Sequence, residues 1–372
     1  MDMADKKTAV IKCENCGADL EFDAKLGKLA CPYCDSQKAV EKKWAAMRDY
    51  YICAKDGYVE KGGIVYRCPN CHAETTIETF ETAVSCAFCG ATNIVKTEEL
   101  PGLKPDSILP FKLSAQDAAA FGKKWINKKL FAPTKCKKSF NPDKFKGVYI
   151  PNFSFTTKTY STYEGTLGEY YYVTVGTGKN RHTVRKVRWY RVEGSLDKDF
   201  HDIIVEASQN LEQKELQKIL PYDLVATEAY RAEYLAGFSA ERYNTSLKDS
   251  FGVAKNIIDA DIRKTILARY HADVVQYLNV TTKFPVINFR YILLPVWICG
   301  YSFKEKLYKF LVNGRTGKST GKAPVSPLRV FIAILLGVGA AALIIWILRK
   351  TGIIDLALEQ AIQSNLLALA GR

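Results

Sequence analysis

Eight cysteines carry the most specific chemistry in the sequence. Cys13, Cys16, Cys31 and Cys34 form two CxxC pairs, and Cys68, Cys71, Cys86 and Cys89 form two more, each displaced by 55 residues from its counterpart. In each set 14 residues separate the pairs, close to the spacing at which two CxxC knuckles meet around one tetrahedral ion. Four soft thiolates in a closed site suit zinc. Rubredoxin-like iron uses the same donors, whereas a catalytic zinc keeps one position open. Two structural Zn2+ ions are therefore expected, one per set. His72 follows Cys71 directly and reads as a surface residue, because both sets are complete without it.

The surroundings of the two sets repeat as well. Lys12 matches Arg67, Ala18 matches Ala73, Asp19 matches Glu74, Phe22 matches Ile77 and Tyr33 matches Phe88, so the unit is duplicated. Alternating segments between the pairs, 19–22 and 75–80, read as the short hairpin strands of a ribbon. This places zinc ribbon 1 at 10–40 and zinc ribbon 2 at 65–96. Units of this size bury little core, so their folding energy comes largely from the metal, on the order of 10–16 kcal/mol for structural zinc. Chelation is expected to unfold 10–95. Cys53, Cys136 and Cys299 are scattered and read as small hydrophobes. Residues 1–10 carry Asp2, Asp5, Lys6 and Lys7 and no apolar core of signal-peptide length, which places the ribbons in a reducing cytoplasm.

Near the other end, 330–348 carry no charged side chain and lie between Arg329 and the pair Arg349, Lys350. A core helix of that length would show a polar face, so a single transmembrane helix is expected over 329–350. Lys309, Arg315, Lys318, Lys322 and Arg329 precede it, and only Arg349, Lys350 and Arg372 follow. The positive-inside rule then keeps the N-terminal bulk in the cytoplasm, single-pass in the cell membrane. Ala333, Gly337 and Ala341 recur at helical spacing, as membrane helices commonly show. Beyond the span, 351–372 read as an amphipathic tail, with Ile354, Leu358, Ile362, Leu366 and Leu369 on one side and Asp355, Glu359 and Gln363 on another.

Between ribbons and span, 97–112 contain Pro101, Pro105 and Pro110 and read as a linker. A central α+β domain is expected over 113–327, giving an α+β chain with two small β ribbons and one transmembrane helix. Ser114 and Asp117 open a helix to about Leu130, which carries Lys123, Lys124, Lys128 and Lys129. Strands are expected over 146–205, helices over 206–218 and 227–278 with a break near Gly237 or Gly252, and strands again over 286–301 and 306–312. Ile150-Pro151-Asn152-Phe153 is faintly echoed by Leu294-Pro295-Val296-Trp297. The run from Asn313 to Ser319 ends in Gly-Lys-Ser, but only two residues separate Gly314 from Gly317. It therefore reads as an Asn-Gly turn and not as a phosphate loop. No HExxH, GxSxG or GxGxxG occurs, and His182 and His201 read as exposed. No catalytic residue is nominated, and the chain is not expected to be an enzyme.

Charge is split along the chain. Residues 1–100 hold 13 Lys/Arg against 16 Asp/Glu, whereas 101–328 hold 36 against 21. Phosphate-gripping modules are basic, so slightly acidic ribbons point to protein contacts before nucleic acid. Lys186, Arg188, Trp189 and Arg191 in the basic middle keep a nucleic-acid alternative open.

The twin ribbons, the segment Asp202-Ile203-Ile204-Val205-Glu206-Ala207-Ser208, Leu293-Leu294-Pro295-Val296-Trp297, Val312 to Lys318 and Gly321-Lys322-Ala323-Pro324 before the apolar span together resemble bacterial transcription-factor-IIB-type zinc-ribbon membrane proteins. The resemblance implies an adaptor or scaffold that recruits protein partners to the cytoplasmic membrane face in membrane stress or remodelling. The partners it implies are phage-shock-protein-A-like membrane-remodelling proteins and band-7-type scaffold proteins. Some family members carry replication or primosome labels, which is the form the nucleic-acid alternative takes.

Overall fold

A computed structural model describes residues 11–55, 65–67, 74–76, 95–97, 103–133, 136, 142–208, 213–303 and 306–350. Its centre is three long antiparallel strands, β9 (Phe145–Val175), β10 (His182–Glu206) and β13 (Val274–Phe303). Strand β9 lies in the middle, paired with β10 on one edge and β13 on the other. At ~3.3 Å per residue β9 has a contour of ~100 Å. Tyr, Thr and Val dominate these strands because branched and aromatic side chains pack well on a pleated surface.

Both outer strands are bulged at nearly one level of β9. Register shifts fall between Phe200 and Ile203 on β10 and between Lys283 and Val286 on β13, both opposite β9 residues 155–160. Such bulges bend a sheet and increase its twist. Asp202 in the β10 bulge adopts φ 51°, and its Oδ1 accepts from Arg290 Nη2 at 2.6 Å and Ser154 Oγ at 2.8 Å. The bend divides the sheet into a base and an arm.

The base is widened by shorter strands. Strand β8 (Ser107–Ile108) runs parallel to β13, with β11 (Glu228–Ala229) beyond it, and β12 (Ser239–Glu241) pairs with β9. Ser107 and Ile108, inside the stretch read as a linker, thus enter the sheet, and Ile108, Leu109 and Phe111 are buried. On the other side β14 (Lys306–Asn313) pairs with β13, and β15 (Ser319–Gly321) pairs with β14. Helix α1 (Tyr50–Cys53) and β4 (Arg48–Asp49) connect the N-terminal unit to β13. The echo seen in the sequence has a spatial meaning: Ile150 lies directly opposite Leu294, and Pro151 opposite Leu293.

Helix α2 (Ala115–Asn127) starts at the expected capping box, with Asp117 N–H donating to Ser114 Oγ and Ser114 N–H to Asp117. It ends at Asn127, short of the expected Leu130. The helices expected over 206–218 and 227–278 are corrected. Helix α3 covers Gln213–Ile219, while Glu206 still belongs to β10. The long second helix is replaced by 3-10 turns and short strands up to Glu241, then α4 (Leu247–Arg269), which runs through Gly252 without a break. Strand β13 begins at Val274, well before the expected 286. The run Val274-Val275-Gln276-Tyr277-Leu278-Asn279-Val280-Thr281-Thr282 is β-branched and alternating, and pairing along β9 takes it from the helix.

The turn after β14 is an Asn-centred one. Asn313 Oδ1 accepts from the amides of Arg315 at 2.8 Å and Thr316 at 3.0 Å, and Asn313 Nδ2 donates to Ile219 O at 2.8 Å. Gly317 closes it at φ 74°, where a Cβ would lie 2.3 Å from the Phe121 ring. Gly317→Ala is expected to destabilise the domain by about 1–3 kcal/mol, from left-handed strain and displacement of Phe121, read as a lower denaturation midpoint.

The last described helix, α5 (Pro327–Lys350), is uncharged from Val330 to Leu348 and is long and apolar enough to cross a bilayer. None of its most apolar stretch is buried against the rest of the molecule. The tail read at 351–372 lies outside the described residues.

Candidate metal centre

Strands β1 (Glu21–Asp23), β2 (Lys28–Ala30) and β3 (Gln37–Ala39) form a three-stranded meander. Its loops bring Cys13, Cys16, Cys31 and Cys34 together, with all four sulfurs within 4.8 Å of one another. Cys13 Sγ lies 3.5 Å from Cys34 Sγ, and Cys16 Sγ lies 3.4 Å from Cys31 Sγ. A tetrahedral ion with ~2.3 Å bonds to sulfur needs sulfurs ~3.8 Å apart. The donor set therefore fits a four-thiolate metal site without rearrangement of the chain.

The two knuckles are built alike. In the first, Gly17 N–H donates to Cys13 O at 2.9 Å and Cys13 N–H to Ala18 O at 2.7 Å; in the second, Asp35 N–H donates to Cys31 O at 3.2 Å and Cys31 N–H to Ser36 O at 2.9 Å. Gly17 and Asp35, each just after its CxxC, take φ 75° and 57°. These left-handed residues turn the chain so that amides face the sulfurs. The amides of Cys16 and Asn15 hold the Cys13 thiol below its ordinary pKa. Ser36, whose hydroxyl lies 3.2 Å from Cys34 Sγ, pulls Cys34 down to about 6 through that hydroxyl and its amide. Ser36 was not singled out from sequence, although a hydroxyl two residues beyond a CxxC is a legible signal for a sulfur partner.

Cys13 and Cys31 are buried, Cys34 is half-buried and Cys16 is exposed. The unit is docked on segment 231–236 of the central domain. Phe22 N–H donates to Ala236 O at 3.0 Å, its ring meets Tyr234 edge-on at 5.3 Å, and Arg231 binds Glu41 at 2.9 Å. Between the unit and the N-terminus of α2 lies a cleft of about 550 Å³, lined in part by Phe22, Lys25, Pro32, Gln116, Phe238 and Trp297.

Cys68, Cys71, Cys86 and Cys89 lie outside the described residues, as does His72. The strands around them are described: β5 (Val65–Arg67), β6 (Glu74–Thr76) and β7 (Val95–Thr97), in the order β6-β5-β7, with β6 also paired to β12. Arg67 pairs with Glu74, as Lys12 pairs with Asp19. These are the residues matched by the 55-residue offset, so the duplication extends to backbone pairing.

The three scattered cysteines behave as packing residues. Cys136 and Cys299 are buried and Cys53 is half-buried, and burial pushes Cys299 up to about 11. His182 and His201 are exposed. The residues Lys186, Arg188, Trp189 and Arg191 are exposed near the end of the arm, but strand alternation divides them. Lys186 and Arg188 share the face of Tyr190, which donates to Tyr270 O at the end of α4 at 3.0 Å; Trp189 and Arg191 lie on the opposite face. Arg188 also stacks over the Tyr171 ring at 5.5 Å.

One buried cluster was not anticipated. The Glu206 carboxylate accepts from Ser208 N–H at 3.1 Å, and Ser208 Oγ donates to Glu241 at 2.5 Å. Both glutamates are buried. Burial, then repulsion from Glu241, raises the Glu206 pKa well above its ordinary carboxylate value. A raised folded-state pKa gives stability that is complete below the unfolded value and is lost as pH rises through the folded one. Glu206→Gln is thus expected to leave the melting temperature unchanged near pH 4 and to raise it at pH 8, as followed by circular dichroism.

No protein-family profile matches the chain, and no solved structure matches it. The chain is similar to the "Uncharacterized protein YdjG" of Bacillus subtilis (strain 168), with 29% identity over 323 residues that cover 85% of this chain and 90% of that protein.

Proposed function

We propose that the chain is a single-pass, membrane-anchored zinc-ribbon adaptor that recruits protein partners to the cytoplasmic face of the cell membrane. The observation that carries this reading is the pairing of a four-cysteine site, docked on a β-rich domain, with an apolar helix whose most apolar stretch is not buried against the rest of the described molecule. A closed thiolate site is structural in character and offers a rigid surface, not an open coordination position. In this reading each duplicated unit holds one zinc, and basic residues before α5 keep the ribbons inside. Phage-shock-protein-A-like and band-7-type proteins are the partner classes to test first.

The experiment is affinity capture of the intact protein from detergent-solubilised membranes, beside a Cys68→Ser, Cys71→Ser variant. The adaptor reading expects defined partners whose capture falls when the second ribbon is disrupted. Recovery of the protein in the soluble fraction, or capture of no partner, would overturn it.

The basic, aromatic end of the arm supports a second reading, nucleic-acid binding. Arg185 stacks over Tyr170 at 4.3 Å, and Trp189 is 46% exposed. This reading expects oligonucleotide binding that weakens steeply with salt. The division of its residues between two sheet faces favours the adaptor.

A further inference from the structure

Helix α2 buries Ala118, Ala119, Gly122 and Ile126 against the domain. Lys123, Lys124, Lys128 and Lys129, on its other side and just past its end, are all exposed. The turn that follows is tied to the start of α5. Ser326 N–H donates to Phe131 O at 2.8 Å, and Arg329 Nη1 donates to Leu130 O at 3.1 Å and Ala132 O at 2.6 Å. Four apolar side chains stand out around this junction: Leu130 is 77% exposed, Phe131 41%, Val325 60% and Leu328 67%.

Exposed apolar residues preceded by four exposed lysines, at the point where an apolar helix leaves the domain, match the boundary between headgroups and acyl chains. The nearby acidic groups do not cancel the lysines. Asp117 lies at the opposite end of α2 and is held by Ser114 and Lys25, and Asp143 is followed directly by Lys144.

We propose that the C-terminal end of α2 and the turn 130–132 form a docking collar for anionic lipid headgroups in the bilayer that α5 enters. Leu130 and Phe131 insert at the headgroup boundary, and Lys123, Lys124, Lys128 and Lys129 bind headgroup phosphates around them. Because the turn is bonded to Ser326 and Arg329, the collar fixes the tilt of the whole domain on the membrane. The proposal rests on the reading of α5 as a membrane span.

The test uses full-length protein in nanodiscs of phosphatidylcholine alone, or of equal parts phosphatidylcholine and phosphatidylglycerol, with amide hydrogen exchange over 123–132. Exchange is expected to slow on the order of 10-fold in the anionic discs, since each lysine near such a surface contributes appreciably. The difference should vanish at high salt and in the quadruple variant Lys123→Gln, Lys124→Gln, Lys128→Gln, Lys129→Gln, whose unchanged amide protection in the central strands 148–155 and 289–298 reports folding. Equal exchange in both discs, with the protein resisting carbonate extraction, would overturn the collar and leave the span standing. Carbonate extraction of the protein from membranes would overturn both. Protection by an oligonucleotide and not by anionic discs would assign the lysines to nucleic acid and reject the collar.

Discussion

Replacing Cys13 and Cys16 together with serine is expected to lower bound zinc by one ion per chain and to unfold residues 11–40, while the central sheet remains. A structural four-thiolate site contributes on the order of 10–16 kcal/mol of folding energy to a unit this small. The internal core of the unit is slight: Leu20, Phe22, Leu29 and Val40 beside the buried Cys13 and Cys31. Contacts with the domain offset only part of the loss. The Phe22 to Ala236 hydrogen bond, the Phe22–Tyr234 ring pair and the Arg231–Glu41 ion pair position the unit, but half-exposed pairs of this kind contribute about 1 kcal/mol or less each. Metal analysis by mass spectrometry gives the stoichiometry, and limited proteolysis finds the opened segment. A variant that loses its zinc yet keeps 11–40 resistant to protease would show that the domain, not the ion, holds the unit folded.

The four-cysteine cluster was legible because ligand spacing is a local property. Two CxxC pairs separated by 14 residues specify a tetrahedral pocket almost regardless of context, and Cys13, Cys16, Cys31 and Cys34 converge as that spacing requires. Helix α5 was legible for a related reason: an uncharged run from Val330 to Leu348 reads the same in any surroundings. The capping box at Ser114 and the turn at Asn313 were equally local. The central domain was not, because long-range pairing decides it. Residues 274–278 read as the end of a helix until β9 is placed beside them, and Ser107-Ile108 reads as a connection until β13 offers it a partner. Local propensity gives way there to burial across strands far apart in sequence. Glu206 and Glu241 escaped notice for the same reason. They are 35 positions apart, and only the fold makes them share Ser208.

The largest effect expected within the central domain is at the seam between α4 and the arm. Ile258, Ile262 and Ile266 recur at one-turn spacing and are fully buried against Tyr163, Leu196, Phe200 and Leu278. Polar contacts flank this apolar strip. Arg263 Nη1 donates to Leu278 O at 2.7 Å, Arg269 Nη1 to the Tyr163 hydroxyl at 3.1 Å, and Lys198 binds Asp261. Beyond the bend, these interactions are what cover one face of the three long strands. The opposite face, with Lys158, Tyr160, Thr162 and Glu164, is exposed. Ile262→Ala removes the central member of the strip and is expected to cost about 2–5 kcal/mol, the range for truncating a large aliphatic side chain in a packed core. The loss should be local before it is global. Hydrogen exchange should rise in 158–170, 190–200 and 274–282, with little change in 145–154, 292–299 and the metal-binding unit, because the bulges separate arm from base. If protection fell equally across the whole sheet, the bend would not divide it, and arm and base would fold as a single cooperative unit.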